Sequence, residues 1–331
     1  MEKETTTQPR IGRYIDICSD WGFKYIFSGA KPSKDILIKF INDLLGGHSR
    51  ITDLTYGPTE HIGDTDDRKK VIFDLHCTTD DGRKVIVEMQ RMDHENLRER
   101  MVFSAARLIS NEYPKGAKYW DFELPEVIFI GVLEFRLDAD ERTRYLKYVK
   151  LIEERTSKVF YSKLTYIFLE LVNFAKSDAE VTTDTDRWFW LLKNLSKADK
   201  VPTFMNKGIF SKVFNISEVS RLKQEERMAY EASLQDKWVW DSAISLAEKR
   251  AAKKAADEAR AEERAKAEKL LAKERLKAAK AEQEKIKAKQ ESSAKAYADK
   301  LESALKFKKM GIPIADIAEG LQLPLEVVEK L

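Results

Sequence analysis

The chain has 331 residues, 35% of them charged and 43% hydrophobic, with a formal net charge of +3. That length holds one large domain or two modest ones, and two cysteines give no disulfide framework. Together with the polar start MEKETTTQPR and a longest apolar run of only 127–133, this excludes a disulfide-stapled scaffold or a membrane-spanning protein and predicts a soluble, cytoplasmic one.

The small net charge hides a split. Residues 248–309 carry 20 Lys/Arg against 12 Asp/Glu, which leaves 39 against 44 in the rest of the chain. A mildly acidic folded part is therefore expected beside a basic tail.

In chain order, the segment Asp20-Trp21-Gly22-Phe23-Lys24-Tyr25-Ile26-Phe27 precedes a predicted helix. Ser33 is its expected N-cap, Ile36, Leu37, Phe40, Ile41, Leu44 and Leu45 form the apolar stripe, and Gly46-Gly47 ends it. A strand is expected around 51–56, followed by a polar loop through 64–68. Residues 70–90 then alternate with period two on either side of Asp80-Asp81-Gly82, the pattern of a β-hairpin.

The hairpin register decides which side chains meet. A three-residue loop with Gly82 in the left-handed conformation pairs Thr79 with Arg83 and Asp74 with Glu88. A two-residue turn at Asp81-Gly82 would instead pair Asp74 with Met89 and place the carboxylates on opposite faces. The glycine position favours the first register, which brings Asp74, Glu88 and Gln90 to one face. Opposed carboxylates repel unless neutralised, and bound Mg²⁺ or Mn²⁺ would do so through hard oxygen ligands. His76 shares that face. His48, His61 and His94 show no zinc-ligand spacing.

Residues 94–112 return to helical spacing with Leu97, Met101, Ala105, Leu108 and Ile109 on one side, and Arg91, Arg98, Arg100 and Arg107 on this element or at its start. Residues 124–135 read as a buried strand. Residues 141–235 read as mainly helical after a strand near 145–151, with Phe168, Phe174, Trp188, Phe189 and Trp190 as packing surface. From about residue 242 to 309 the chain is Ala, Lys, Glu and Arg without Pro or Gly, a helix-forming composition whose large apolar residues keep no sustained heptad. The end, MGIPIADIAEGLQLPLEVVEKL, predicts two short helices bounded by Gly311, Pro313, Gly320 and Pro324, an arrangement similar to a small helix-turn-helix. The expected organisation is therefore a core over 1–140, a mainly helical extension over 141–241 packed on it, a long charged helix over 242–309 and a two-helix element over 310–331.

This order of elements resembles the PD-(D/E)XK nuclease superfamily. More narrowly it is similar to the PD-(D/E)XK nuclease family transposases, the group that includes recombination-promoting nucleases. The resemblance covers roughly residues 12–235 and rests on Asp20-x-x-Phe23-Lys24-x-x-Phe27, on Asp74 with Glu88-x-Gln90, and on the strand after the helix. Gly116 with Tyr119 and Asp186-Arg187-Trp188 are weaker echoes.

The resemblance implies an α/β fold with a mixed sheet flanked by helices and a DNA endonuclease activity dependent on Mg²⁺ or Mn²⁺. It places Asp74 and Glu88 as metal ligands and Gln90 where the superfamily signature has Lys. Asp20 would complete the acidic cluster, Lys24 would supply charge that Gln90 lacks, and Arg91 and Arg98 are candidates for backbone phosphates. DNA is the implied partner, with homo-oligomerisation through the long helix as an expectation. A catalytically silent nuclease-fold binding module with a helical oligomerisation arm is the alternative reading.

Overall fold

In the computed structural model the described residues are 11–29, 31–47, 50–61, 71–72, 74–93, 95–111 and 123–331. They divide into two units, Met1–Ala243 and Ile244–Leu331. Among the described residues no helix is long and apolar enough to cross a membrane.

The first unit is built on a six-stranded sheet of β1 (Leu54–Tyr56), β4 (Leu75–Thr79), β5 (Lys84–Gln90), β6 (Val127–Leu133), β8 (Val159–Glu170) and β7 (Leu146–Ile152), in that spatial order. β5 and β6 are parallel, as are β6 and β8, while β1, β4 and β7 pair antiparallel with their neighbours. The sheet is therefore mixed, as expected. Two short strands, β2 (Glu60–His61) and β3 (Val71–Ile72), form a separate pair.

Both faces of the central strands are covered, which is why 127–133 reads as a continuous apolar run. One face carries Val85, Val87, Ile128, Ile130, Val132 and Ile167, packed with α1 (Asp20–Phe27), α2 (Ser33–Leu44), α4 (Asp184–Asn194) and α5 (Gly208–Ile216). The other carries Ile86, Phe129, Tyr166 and Phe168 against Leu97, Met101, Ala105 and Leu108 of α3 (Leu97–Asn111). Gly131 in β6 leaves room for Phe168, whose ring would stand 2.9 Å from an added Cβ.

The α2 stripe is as read from the sequence, with Ile36, Leu37, Phe40, Ile41 and Leu44 all buried, although Pro32 rather than Ser33 occupies the capping position. The Asp20–Phe27 segment is itself a helix, capped by the Ser19 side chain accepting from the Gly22 N–H.

Three expectations about organisation are corrected. Residues 141–241 are not mainly helical after one strand, because β8 as well as the expected β7 hydrogen-bonds into the same sheet as β5 and β6. β8 was hidden because its second half is apolar on both faces, a pattern that periodicity alone does not separate from a buried helix. The long helix α6 runs Gln224–Lys309 and thus starts well before residue 242. Its first turns bury Tyr230 and Leu234 against the first unit. The first hairpin strand is also shorter than residues 70–79: the chain pairs with β2 at Val71–Ile72, and β4 begins only at Leu75.

In the second unit, α7 (Ile314–Leu321) and α8 (Leu325–Lys330) close over the end of α6 through Ala304, Ile317, Ala318, Leu323 and Val328. Gly320 lies inside α7, and the left-handed residue that stops it is Gln322 at φ 55°. Because each unit has its own buried cluster, a chain ending at Ala243 is expected to keep the melting temperature of the first unit to within about 3 °C, read by near-ultraviolet circular dichroism.

Candidate active site

The site is built on the β4–β5 hairpin. Gly82 sits at φ 85°, the Thr79 N–H donates to the Arg83 carbonyl at 2.9 Å, and Leu75 pairs with Val87. This is the register of the three-residue loop, and its pairing ends at Leu75 with Val87, one residue short of Asp74 and Glu88. Asp81 fastens the turn by accepting from Arg83 and from the Thr79 hydroxyl, which holds its carboxyl down at about 2.

At Asp74 the chain has just left its β3 path. Alternation along β5 points the Met89 N–H toward the β4 side, beyond the last paired residues Leu75 and Val87. The Asp74 carboxylate takes that place, accepting from Met89 N at 2.8 Å. Asp74 is thus fixed at the edge of β5 rather than free on a surface. It lines a cleft with Asp20, Met89, Arg91, Lys237 and Trp240.

Glu88 and Gln90 follow Ile86 on the α3 face, and the Gln90 amide donates to Glu88 Oε2 at 3.2 Å. Glu88 is 7% exposed. Burial first, then the negative charge of Asp74, pushes its carboxyl up to about 7, against a weaker downward pull from the Gln90 hydrogen bond and Arg100. Burial also raises Asp74, opposed by the Met89 N–H, with Asp20 adding to the rise. Glu88 is thus buried and Asp74 half-buried, their negative charges repel, and among the described residues neither is met by a basic partner. Among the described residues, however, no group of three or more His, Cys, Asp and Glu side chains is drawn together for a metal.

The remaining sequence candidates are placed less simply. Asp20 lines the same cleft as Asp74, but its carboxylate pairs with Lys24 one helical turn on, at 2.8 Å. Arg91 is held by Glu134 at 3.3 Å and by Asp241. Arg98 turns to Asp138 at 2.7 Å and the Leu137 carbonyl, away from the cleft. Lys24, Arg91 and Arg98 thus each have a carboxylate partner. His76 packs against Gly57, with Nδ1 3.3 Å from the Pro58 carbonyl, a structural placement. Gly116 and Tyr119 lie outside the described residues, and Asp186 and Trp188 belong to the α4 cap and core.

Sequence reasoning missed the wall contributed by α6. Lys237 Nζ reaches Asp16 Oδ2 at 2.9 Å and Glu134 Oε1 at 3.2 Å, and the Asp16 N–H donates to the Tyr230 hydroxyl. The signal was present: Tyr230, Leu234, Lys237 and Asp241 recur at helical spacing ahead of the charged tract.

Residues 17–249 match the family described as PD-(D/E)XK nuclease family transposase. The chain belongs to this family. No curated protein and no solved structure matches it. The match covers the whole sheet and ends just past the α6 wall of the cleft, so both lie inside the family region.

Proposed function

We propose that this family member is a metal-dependent DNA endonuclease of the recombination-promoting type, with Asp74 and Glu88 as the metal ligands. The observation that carries this reading is the carboxylate pair of buried Glu88 and half-buried Asp74, without a basic partner among the described residues, held where the chain enters β4 beside β5. A nuclease family makes DNA the substrate, and a donor set of carboxylates favours Mg²⁺ or Mn²⁺ over softer metals.

When bound there, the ion supplies Lewis acidity toward the phosphate and acidifies a water. The chain's own residues set the rest. The Met89 N–H fixes the orientation of Asp74, so one ligand is positioned before any ion arrives. Gln90 orients Glu88 through its amide, and its carbonyl oxygen is left to align a nucleophilic water. Gln90 neither carries charge nor takes a proton near neutral pH.

The test is nicking of supercoiled plasmid. Cleavage is expected with Mg²⁺ or Mn²⁺ and none with chelator, and Asp74→Asn is expected to lose it with the fold retained. Absence of cleavage by the wild-type chain under all these conditions would favour the binding-module reading.

A further inference from the structure

Charge counting around the carboxylate pair leaves a deficit. A divalent ion is neutralised by Asp74 and Glu88, so the negative charge of a phosphodiester, and the further charge that develops as it is attacked, has no compensation from these three groups. Catalysis of such a reaction requires a cation aimed at the phosphate. Gln90 cannot be that cation. Lys24, Arg91, Arg98 and Lys237 are each committed to carboxylates.

Arg100 is placed differently. It is exposed and, among the described residues, has no ion-pair partner. It lies three residues after Leu97 and four before Ser104, both buried, so it leaves α3 on the flank of the stripe that packs over the sheet. α3 joins β5 to the parallel β6 and packs over the sheet, with Leu97 of its first turn in the same cluster as Ile86 and Leu133, the latter paired with Gln90, so this turn stands at the strand end carrying Glu88 and Gln90. Beside this placement, its positive charge is a minor downward pull on the carboxyls of both Asp74 and Glu88.

We propose that Arg100 contacts the scissile phosphate and supplies the positive charge that the Glu-x-Gln pair lacks. The assignment rests on the nuclease reading above. It makes α3, through a residue one turn into the helix, the second wall of the active site.

The experiment compares full-length wild type, Arg100→Gln and Arg100→Lys in plasmid nicking with Mg²⁺, and measures Mn²⁺ binding to each by calorimetry. Arg100→Gln is expected to cut about 100-fold more slowly. It should bind Mn²⁺ as tightly as wild type or more tightly, because a positive charge beside the carboxylates has been removed. Arg100→Lys should recover at least about tenfold over Gln, since a point charge still meets the phosphate. A wild-type rate in Arg100→Gln, equal loss in both variants, or weakened Mn²⁺ binding would each overturn the role of Arg100 while leaving the nuclease intact. A wild-type chain that does not cut removes the nuclease reading and the role of Arg100 with it.

Discussion

Replacing Glu88 with glutamine is expected to abolish metal-dependent cleavage and, at pH 8, to make the protein more stable. The two effects share one cause. The Glu88 carboxyl is raised to about 7 by burial and by Asp74, whereas in the unfolded chain it titrates near 4.5. Between those values the folded state holds a proton that the unfolded state has released. Stability from this group is therefore fully present below pH 4.5 and is lost as pH rises through 7. The shift corresponds to about 3 kcal/mol, an order-of-magnitude figure. Glutamine has no charge to bury, so Glu88→Gln should match wild type near pH 4.5 and exceed it at pH 8. Adding Mn²⁺ at pH 8 should raise the melting temperature of wild type and leave the variant unmoved, while plasmid nicking falls by about 1,000-fold or more. The decisive result is calorimetry across pH with and without metal. A variant that is destabilised at pH 8, or that still cuts, would return Glu88 to a structural role.

Trp188→Ala is expected to cost about 3–5 kcal/mol, measured by urea denaturation. Trp188 is 1% exposed and packs its ring at 5.3 Å from Phe40, 4.9 Å from Phe210 and 6.3 Å from Phe27. Its indole N–H also donates to Asp43 Oδ2 at 2.7 Å, so truncation removes a donor from that carboxylate as well as opening a cavity. Because α4 ties α2 and α5 to one another through this ring, the loss should be cooperative, with one transition at lower urea. Trp188→Phe loses the indole N–H but keeps a smaller aromatic ring in the core, and should cost less than half as much. An equal cost for the two would assign the effect to the Asp43 hydrogen bond instead of to packing.

These two residues also show how differently a site and a core are written in a chain. Trp188, Phe189 and their neighbours announced a packed helix, and α4 is one, begun by a capping box at Thr183 and Asp186. The α2 and α3 stripes and the β6 run were equally plain. β8 was not, because apolar side chains on both faces remove the alternation that marks a strand. The early start of α6 was masked by reading the charged tract as the whole helix.

The amino-acid sequence by itself determined the hairpin and its register. Gly82 in the left-handed region selects the loop length, and loop length fixes which residues oppose one another, all within a dozen positions of chain. It carried likewise the uncharged Gln90, the long charged helix and the family resemblance. Only the tertiary structure decided what those side chains meet. The shift of Glu88 to about 7 needs its burial in the fold and the negative charge of Asp74 at the β5 edge. Which arginines are committed depends on Glu134, Asp138 and Asp241, acids 40 to 150 residues distant in the chain. Local periodicity carries no information about partners so far apart, since folding alone brings them within reach.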